Sequence, residues 1–197
     1  MNKSKTFRSL VVMMALTVLW SCEPDPKPEP PVIGTDIYVD IDCAERIPKT
    51  GYSHQTYFQG SYYLLSDQFK NFDQARQAAA SLGGYLVTIQ SQAENQVVQT
   101  LLDNASRPCA LIGLSDHLVE ETHRWLNGEV VFYTNWQNLE PNNQAYGYCA
   151  NSYNPQCEED AVTIASKRHL QPGGWNDVPR SLTYPFVIEI DCEMAQM

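Results

Sequence analysis

The chain has 197 residues, 43% of them hydrophobic, and a formal net charge of −10 at pH 7. That length suits one domain with appendages, and that composition an ordinary globular core. The negative charge argues against nucleic acid or an anionic membrane surface as partner and suits a divalent cation.

Residues 1–21 read as a targeting segment rather than as part of the fold. Lys3, Lys5 and Arg8 form a basic start, and the apolar run from Leu10 to Trp20, 11 residues, is too short to span a bilayer as a helix. Loss of those three basic residues would take the net charge from −10 to −13. The run ends Leu19-Trp20-Ser21-Cys22, which resembles a bacterial lipobox. The resemblance implies acylation of Cys22, with a lipid bilayer as partner. The alternative is ordinary cleavage near Ser21 with Cys22 left free. Residues 22–36 follow as a Pro-rich acidic linker, whose alternating prolines from Pro24 to Pro30 favour an extended, semi-rigid spacer. Glu23 and Asp25, directly after Cys22, are compatible with routing to the outer membrane and cell surface, where a larger surface complex is a possible setting.

Residues 37–197 form the domain. Residues 37–41 alternate as Ile-Tyr-Val-Asp-Ile and predict a strand, as do residues 61–65. Asn71 is an N-cap with Gln74 at the capping-box position, opening a helix through Ala75, Ala78, Ala79 and Leu82 that Gly83-Gly84 stops. Residues 85–89 predict a strand. Ser91, with Glu94 three residues on, caps a second helix whose pairs Val97/Leu101 and Val98/Leu102 make an apolar face. Short strands are predicted at 110–114, 130–133, 161–165 and 186–190. Residues 134–180 are a long polar stretch rich in Asn, Pro and Gly, of a kind usually retained for function. No internal repeat is present.

Several motifs occur in a fixed order: Phe72-Asp73-Gln74-Ala75, Leu82-Gly83-Gly84-Tyr85-Leu86, Leu111-Ile112-Gly113-Leu114-Ser115-Asp116, Trp125, Asn127-Gly128, Tyr133-Thr134-Asn135-Trp136, Glu140-Pro141-Asn142, Glu158-Glu159-Asp160 and Trp175-Asn176-Asp177. Together they resemble the C-type-lectin-like domain over about residues 59–189. The resemblance implies an α+β fold, with two helices flanking small antiparallel sheets and a long calcium-binding loop region. It implies a principal Ca2+ site built from Glu140, Asn142, Glu159, Asn176 and Asp177, all oxygen donors of the type calcium takes. In such lectins two neighbouring sugar hydroxyls complete the ion's shell, the carboxylates of Glu140 and Glu159 accepting from them and the amides of Asn142 and Asn176 donating to them. The order Glu-Pro-Asn resembles the mannose, fucose and N-acetylglucosamine binders, and the Glu140-Pro141 bond is expected to be cis. A possible second Ca2+ site would use Asp116, Glu120, Glu159 and Asp160, with Asn143 standing where an aspartate is common. Trp125, Trp136 and Trp175 are expected in the core rather than as ligand platforms.

The chain departs from the family in its cysteines. Ala79 and Ile188 occupy the positions of one usual disulfide, and Ala161 and Arg180 those of the other. In this fold the terminal strands lie side by side, which implies a Cys43–Cys192 bridge between the strand-like segments Asp40-Ile41-Asp42-Cys43 and Glu189-Ile190-Asp191-Cys192. A Cys149–Cys157 bridge would staple an insertion at 144–158 carrying Tyr146, Tyr148 and Tyr153. That insertion is either a wall against a second sugar residue or a surface decoration. Cys109 is expected to stay free. Two other functions compete with the glycan-binding lectin: a protein-binding adhesin of the same fold, with structural calcium or none, and an enzyme. No nucleophile elbow, phosphate loop or zinc spacing is present, and His54, His117, His123 and His169 are scattered, so no catalytic residue is assigned.

Overall fold

A computed structural model of the chain describes residues 41–143 and 158–192. The targeting segment, Cys22 and its linker, residues 37–40 of the first expected strand, and the expected Cys149–Cys157 bridge with its three tyrosines lie outside the described residues.

The described chain begins with a short helix, α1 (Ile41–Arg46), followed by β1 (His54–Phe58) and β2 (Ser61–Leu65). Two longer helices, α2 (Phe72–Ser81) and α3 (Gln92–Asn104), flank β3 (Tyr85–Leu86). Then come β4 (Cys109–Ile112), β5 (Leu114–Ser115), β6 (Arg124–Trp125), β7 (Ala161–Ala165), β8 (Trp175–Val178) and β9 (Val187–Asp191). The strands form three antiparallel sheets, ordered β1-β2-β9-β3, β4-β7-β8 and β5-β6.

Local signals explain the two long helices. Asn71 Oδ1 accepts from the Gln74 N–H at 2.9 Å, and the Gln74 side chain accepts from the Asn71 N–H, a complete capping box. Ser91 accepts from the Glu94 N–H, and Val98, Leu101 and Leu102 are buried. Gly83, at φ +73°, closes α2 in a conformation that side chains disfavour.

Four strand expectations are corrected. Residues 41–46 are helical. Cys43 within this helix and Ile47 just after it are both buried in the core under α2. The strand expected at 85–89 is short, Tyr85–Leu86: the Val87 N–H still reaches the Val187 carbonyl at 2.9 Å, and the Thr88 N–H then turns to Glu189 Oε2 at 3.1 Å. Residues 130–133 alternate, with Val130 and Phe132 64% and 82% exposed and Val131 and Tyr133 against the core, but among the described residues no strand pairs with them. The side-chain amide of Gln90 stands in, donating to the Val130 carbonyl at 2.6 Å and accepting from the Phe132 N–H at 3.2 Å. The strand at 110–114 breaks at Gly113, where a Cβ would overlap the Leu86 carbonyl oxygen.

One core cluster centres on Trp175, edge-on to Trp125, Tyr133 and Trp136 with ring centroids 5.7, 5.7 and 5.9 Å away. The other lies under α2 and contains Ala79, Ala161 and Ile188, so three positions of the absent disulfides are filled by buried apolar groups. The fourth, Arg180, instead bonds Asp73 at 2.6 Å and lies over Phe72. Cys43 and Cys192 form a disulfide closing a separation of 149 residues. Cys109 is free, and burial pushes its thiol pKa up.

Candidate functional site

Strand β8 carries Asn176 and Asp177 out of the core cluster. Trp175, fully buried, anchors it, and its backbone holds the incoming loop: Trp175 N–H donates to the Asn135 carbonyl at 2.7 Å, and Gln137 N–H donates to the Trp175 carbonyl at 2.8 Å. The chain then turns at Leu139, φ +73°, and passes through the cis Glu140-Pro141 bond. Asp177, 2% exposed, collects the turn from beneath. Its carboxylate accepts from the Asn142 N–H at 3.1 Å and the Asn143 N–H at 2.8 Å. The Asn176 amide donates to the Asp177 carbonyl at 2.7 Å.

Glu140 faces this carboxylate. Burial pushes its pKa up to about 7, helped by a hydrogen bond and charge repulsion from Asp177 and by the charge of Glu159. Glu140 Oε2 is buried without a protein hydrogen-bond partner, and Glu159 is 6% exposed. Three carboxylates therefore converge, one with an orphaned oxygen, beside the amides of Asn142 and Asn176. A hard cation with oxygen ligands relieves both the repulsion and the orphaned acceptor, and calcium takes such a donor set.

A second acidic group adjoins the first. Glu120, Glu158 and Asp160 each offer an oxygen within 4.8 Å of the others. Burial and the charges of Asp116 and Glu158 raise the pKa of both Glu120 and Asp160, Asp160 adding to the rise on Glu120 while Arg180 and His117 oppose that on Asp160. Asp116, 6% exposed, accepts from the Glu121 N–H at 3.1 Å and lies 3.8 Å from His123 Nε2, while its Oδ1 has no partner. Asn143 donates to Glu120 at 2.6 Å and to Glu158 at 3.0 Å. Glu158 is the residue that sequence reasoning missed. It was visible only as the first of three successive acids, with nothing local to show which cluster each would face. Trp125 and Trp175 are core residues, and Trp136 packs against them with His123 on its other contact at 4.8 Å.

The sequence profile described as "Lectin C-type domain" matches residues 68–187. C-type mannose receptor 2 of Homo sapiens is 28% identical over 139 residues, which is 71% of this chain but only 8% of the receptor. The mouse scavenger receptor C-type lectin carbohydrate-recognition domain has a TM-score of 0.58 and 25% identity, covering 73% of this chain and 98% of that one. The cow carbohydrate-recognition domain of CD23, solved in the presence of a GlcNAc2Man3 oligosaccharide, has a TM-score of 0.56 and 27% identity, covering 72% and 96%. A calcium-independent type II antifreeze protein shares the fold alone, with a TM-score of 0.55 and 16% identity over 75% of this chain and 96% of that one.

Proposed function

From the premise that this chain belongs to the C-type lectin domain family, we propose that it is a calcium-dependent glycan-binding protein whose sugar site is the Glu140–Asp177 cradle. The observation that carries this reading is the convergence of Glu140, Glu159 and Asp177, with Glu140 Oε2 buried and unpartnered. Calcium bound there supplies open coordination positions for two neighbouring sugar hydroxyls. The chain's own residues do the rest. Asp177 holds Asn142 and Asn143 in place through their backbone N–H groups. Glu140 and Glu159 accept from the hydroxyls, and Asn142 and Asn176 donate to them. Asn176 Nδ2 gives one N–H to the Asp177 carbonyl in this structure, which leaves its second N–H for a hydroxyl. The Glu-Pro-Asn order favours mannose, fucose or N-acetylglucosamine over galactose.

We further propose that acylated Cys22 anchors the protein in a lipid bilayer at the cell surface, where clustering of sites raises avidity for a multivalent glycan. The reading as a binding protein accords with a family of carbohydrate-recognition domains rather than enzymes.

The deciding experiment is calorimetric titration of calcium into the purified protein, with and without mannose. Calcium binding that mannose strengthens, and that Glu140→Ala and Asn176→Ala remove, supports the lectin. Calcium binding indifferent to mannose, fucose and N-acetylglucosamine points to a structural ion and the protein-binding adhesin. No binding overturns the reading.

A further inference from the structure

Asn143 is where the two acidic groups meet, and it is committed on every side. Its backbone N–H donates to Asp177 at 2.8 Å, and its Oδ1 accepts from the Glu159 N–H at 2.8 Å. Its Nδ2 donates to Glu120 Oε1 at 2.6 Å and to Glu158 Oε2 at 3.0 Å. These partners fix the orientation of the amide. Turned over, its oxygen would face two carboxylates and its nitrogen would face an N–H.

An ion shared by Glu120 and Glu158 would need to approach each oxygen to about 2.3–2.6 Å. The Asn143 nitrogen already bridges those oxygens. Admitting the ion means expelling or inverting the amide and breaking three hydrogen bonds, one of them from the backbone of Glu159. The remaining acids are partly answered from within the protein, although Asp116 Oδ1 has no partner. Asp116 accepts from the Glu121 N–H, and the charges of Arg180 and His117 counter the repulsion on Asp160.

We propose that Asn143 sets the number of cations the domain holds: its side-chain nitrogen takes the place of a second ion at Glu120, Glu158 and Asp160, and an aspartate there opens that site. The first ion rests on the calcium reading given above, whereas the claim about the acidic group stands apart from it. Asp in place of Asn143 keeps an oxygen for the Glu159 N–H and withdraws both donors. It also adds a carboxylate beside Glu120, Glu158 and Asp160, with the unpartnered Asp116 Oδ1 as a further ligand.

The test counts calcium ions per chain by equilibrium dialysis of the purified full-length protein, alongside melting curves in chelator and in calcium. The wild type is expected to hold one ion and Asn143→Asp two. Asn143→Asp should also melt below the wild type in chelator and recover in calcium. Adding Glu140→Gln to Asn143→Asp should leave one ion. Glu158→Gln should leave the wild type at one and weaken the new site of Asn143→Asp at least tenfold. A wild type holding two ions, one of which Glu158→Gln removes, overturns the proposal, as does Asn143→Asp holding only one. If Asn143→Asp does not fold, the wild type and Glu158→Gln decide: one ion in each supports the proposal, and a fall from two to one overturns it. If the wild type holds none, the calcium reading of the first site fails, and Asn143→Asp still decides, one ion supporting the proposal and none overturning it.

Discussion

The indole N–H of Trp175 donates to Asn95 Oδ1 at 2.7 Å, joining β8 to α3 across 80 residues of chain. Both residues are buried, and Asn95 also donates to the Gly173 carbonyl at 3.0 Å. Asn176 and Asp177 directly follow Trp175, so this pair fixes the depth at which the strand presents them. Asn95→Ala strands a buried indole donor. It should lower unfolding free energy by about 1–3 kcal/mol in urea titrations, with calcium affinity falling in parallel. A variant as stable as the wild type would show that β8 is held by ring packing alone.

Glu140→Gln should reverse its rank order with the cation. In chelator the variant relieves the repulsion among Glu140, Asp177 and Glu159 and should melt above the wild type. With calcium at 100 times its dissociation constant the wild type gains about 2.7 kcal/mol, which the variant forgoes, so it should then melt below. Melting curves that keep the same order in both buffers would mean that Glu140 is not a ligand.

Glu189 supplies a pH dependence. Burial, with the charges of Asp191 and Glu94, takes its pKa from 4.5 to about 7 despite the hydrogen bonds from Thr88 and Ser61. Tyr63 and Tyr85 also face it. A folded pKa above the unfolded one means that the native state holds more protons between these values, so this group's contribution falls as pH rises from 4.5 to about 7 and is level above that. Glu189→Gln keeps an acceptor for Thr88 and removes the slope. Relative to the wild type it should gain up to about 3 kcal/mol between pH 5 and pH 7.5, read from urea midpoints. Parallel pH profiles for the two proteins would refute the assignment.

Cys43–Cys192 closes most of the described chain into one loop. Replacing both cysteines by serine should cost at most about 5 kcal/mol, the chain-entropy value for so long a loop. The double variant should melt at the temperature of the reduced wild type. A difference between these two would indicate that the thiols, not the cross-link, carry the effect.

Gly113→Ala places a methyl group against the Leu86 carbonyl, where the Gly113 N–H bonds the Val87 carbonyl at 2.8 Å. A loss of about 1–3 kcal/mol, the usual cost of overpacking, is expected by thermal or urea unfolding.

How far the sequence could be read followed from how local each signal was. Both long helices announce themselves through Asn71–Gln74 and Ser91–Glu94, pairs that need only three residues to act. Strand β7 is buried throughout and apolar but for Thr163, and is equally plain. Strand β8 is not: Trp-Asn-Asp-Val sits in a polar stretch and becomes a strand through its register with β7, Val162 opposite Asp177 and Thr163 opposite Asn176. Residues 130–133 carried the right alternation, but pairing belongs to two segments, and the second was a single glutamine side chain. In the site, the family resemblance supplied the five principal residues, and the fold brings Glu140, Glu159 and Asp177 together. The role of Asn143 was illegible because an amide can offer either end, and only its neighbours decide which.

Strand β9, Val187–Asp191, is the last strand along the described chain, yet it is inserted between β2 and β3 in the middle of the largest sheet. A ribosome delivers the chain from the other end. Until residue 191 has emerged, β2 and β3 have no shared neighbour, so this sheet cannot be assembled stepwise as the chain appears. The domain must wait, open, for its own ending. Folding is thereby deferred until synthesis has passed β9, and a chain cut short before residue 187 would lose not an edge but the centre.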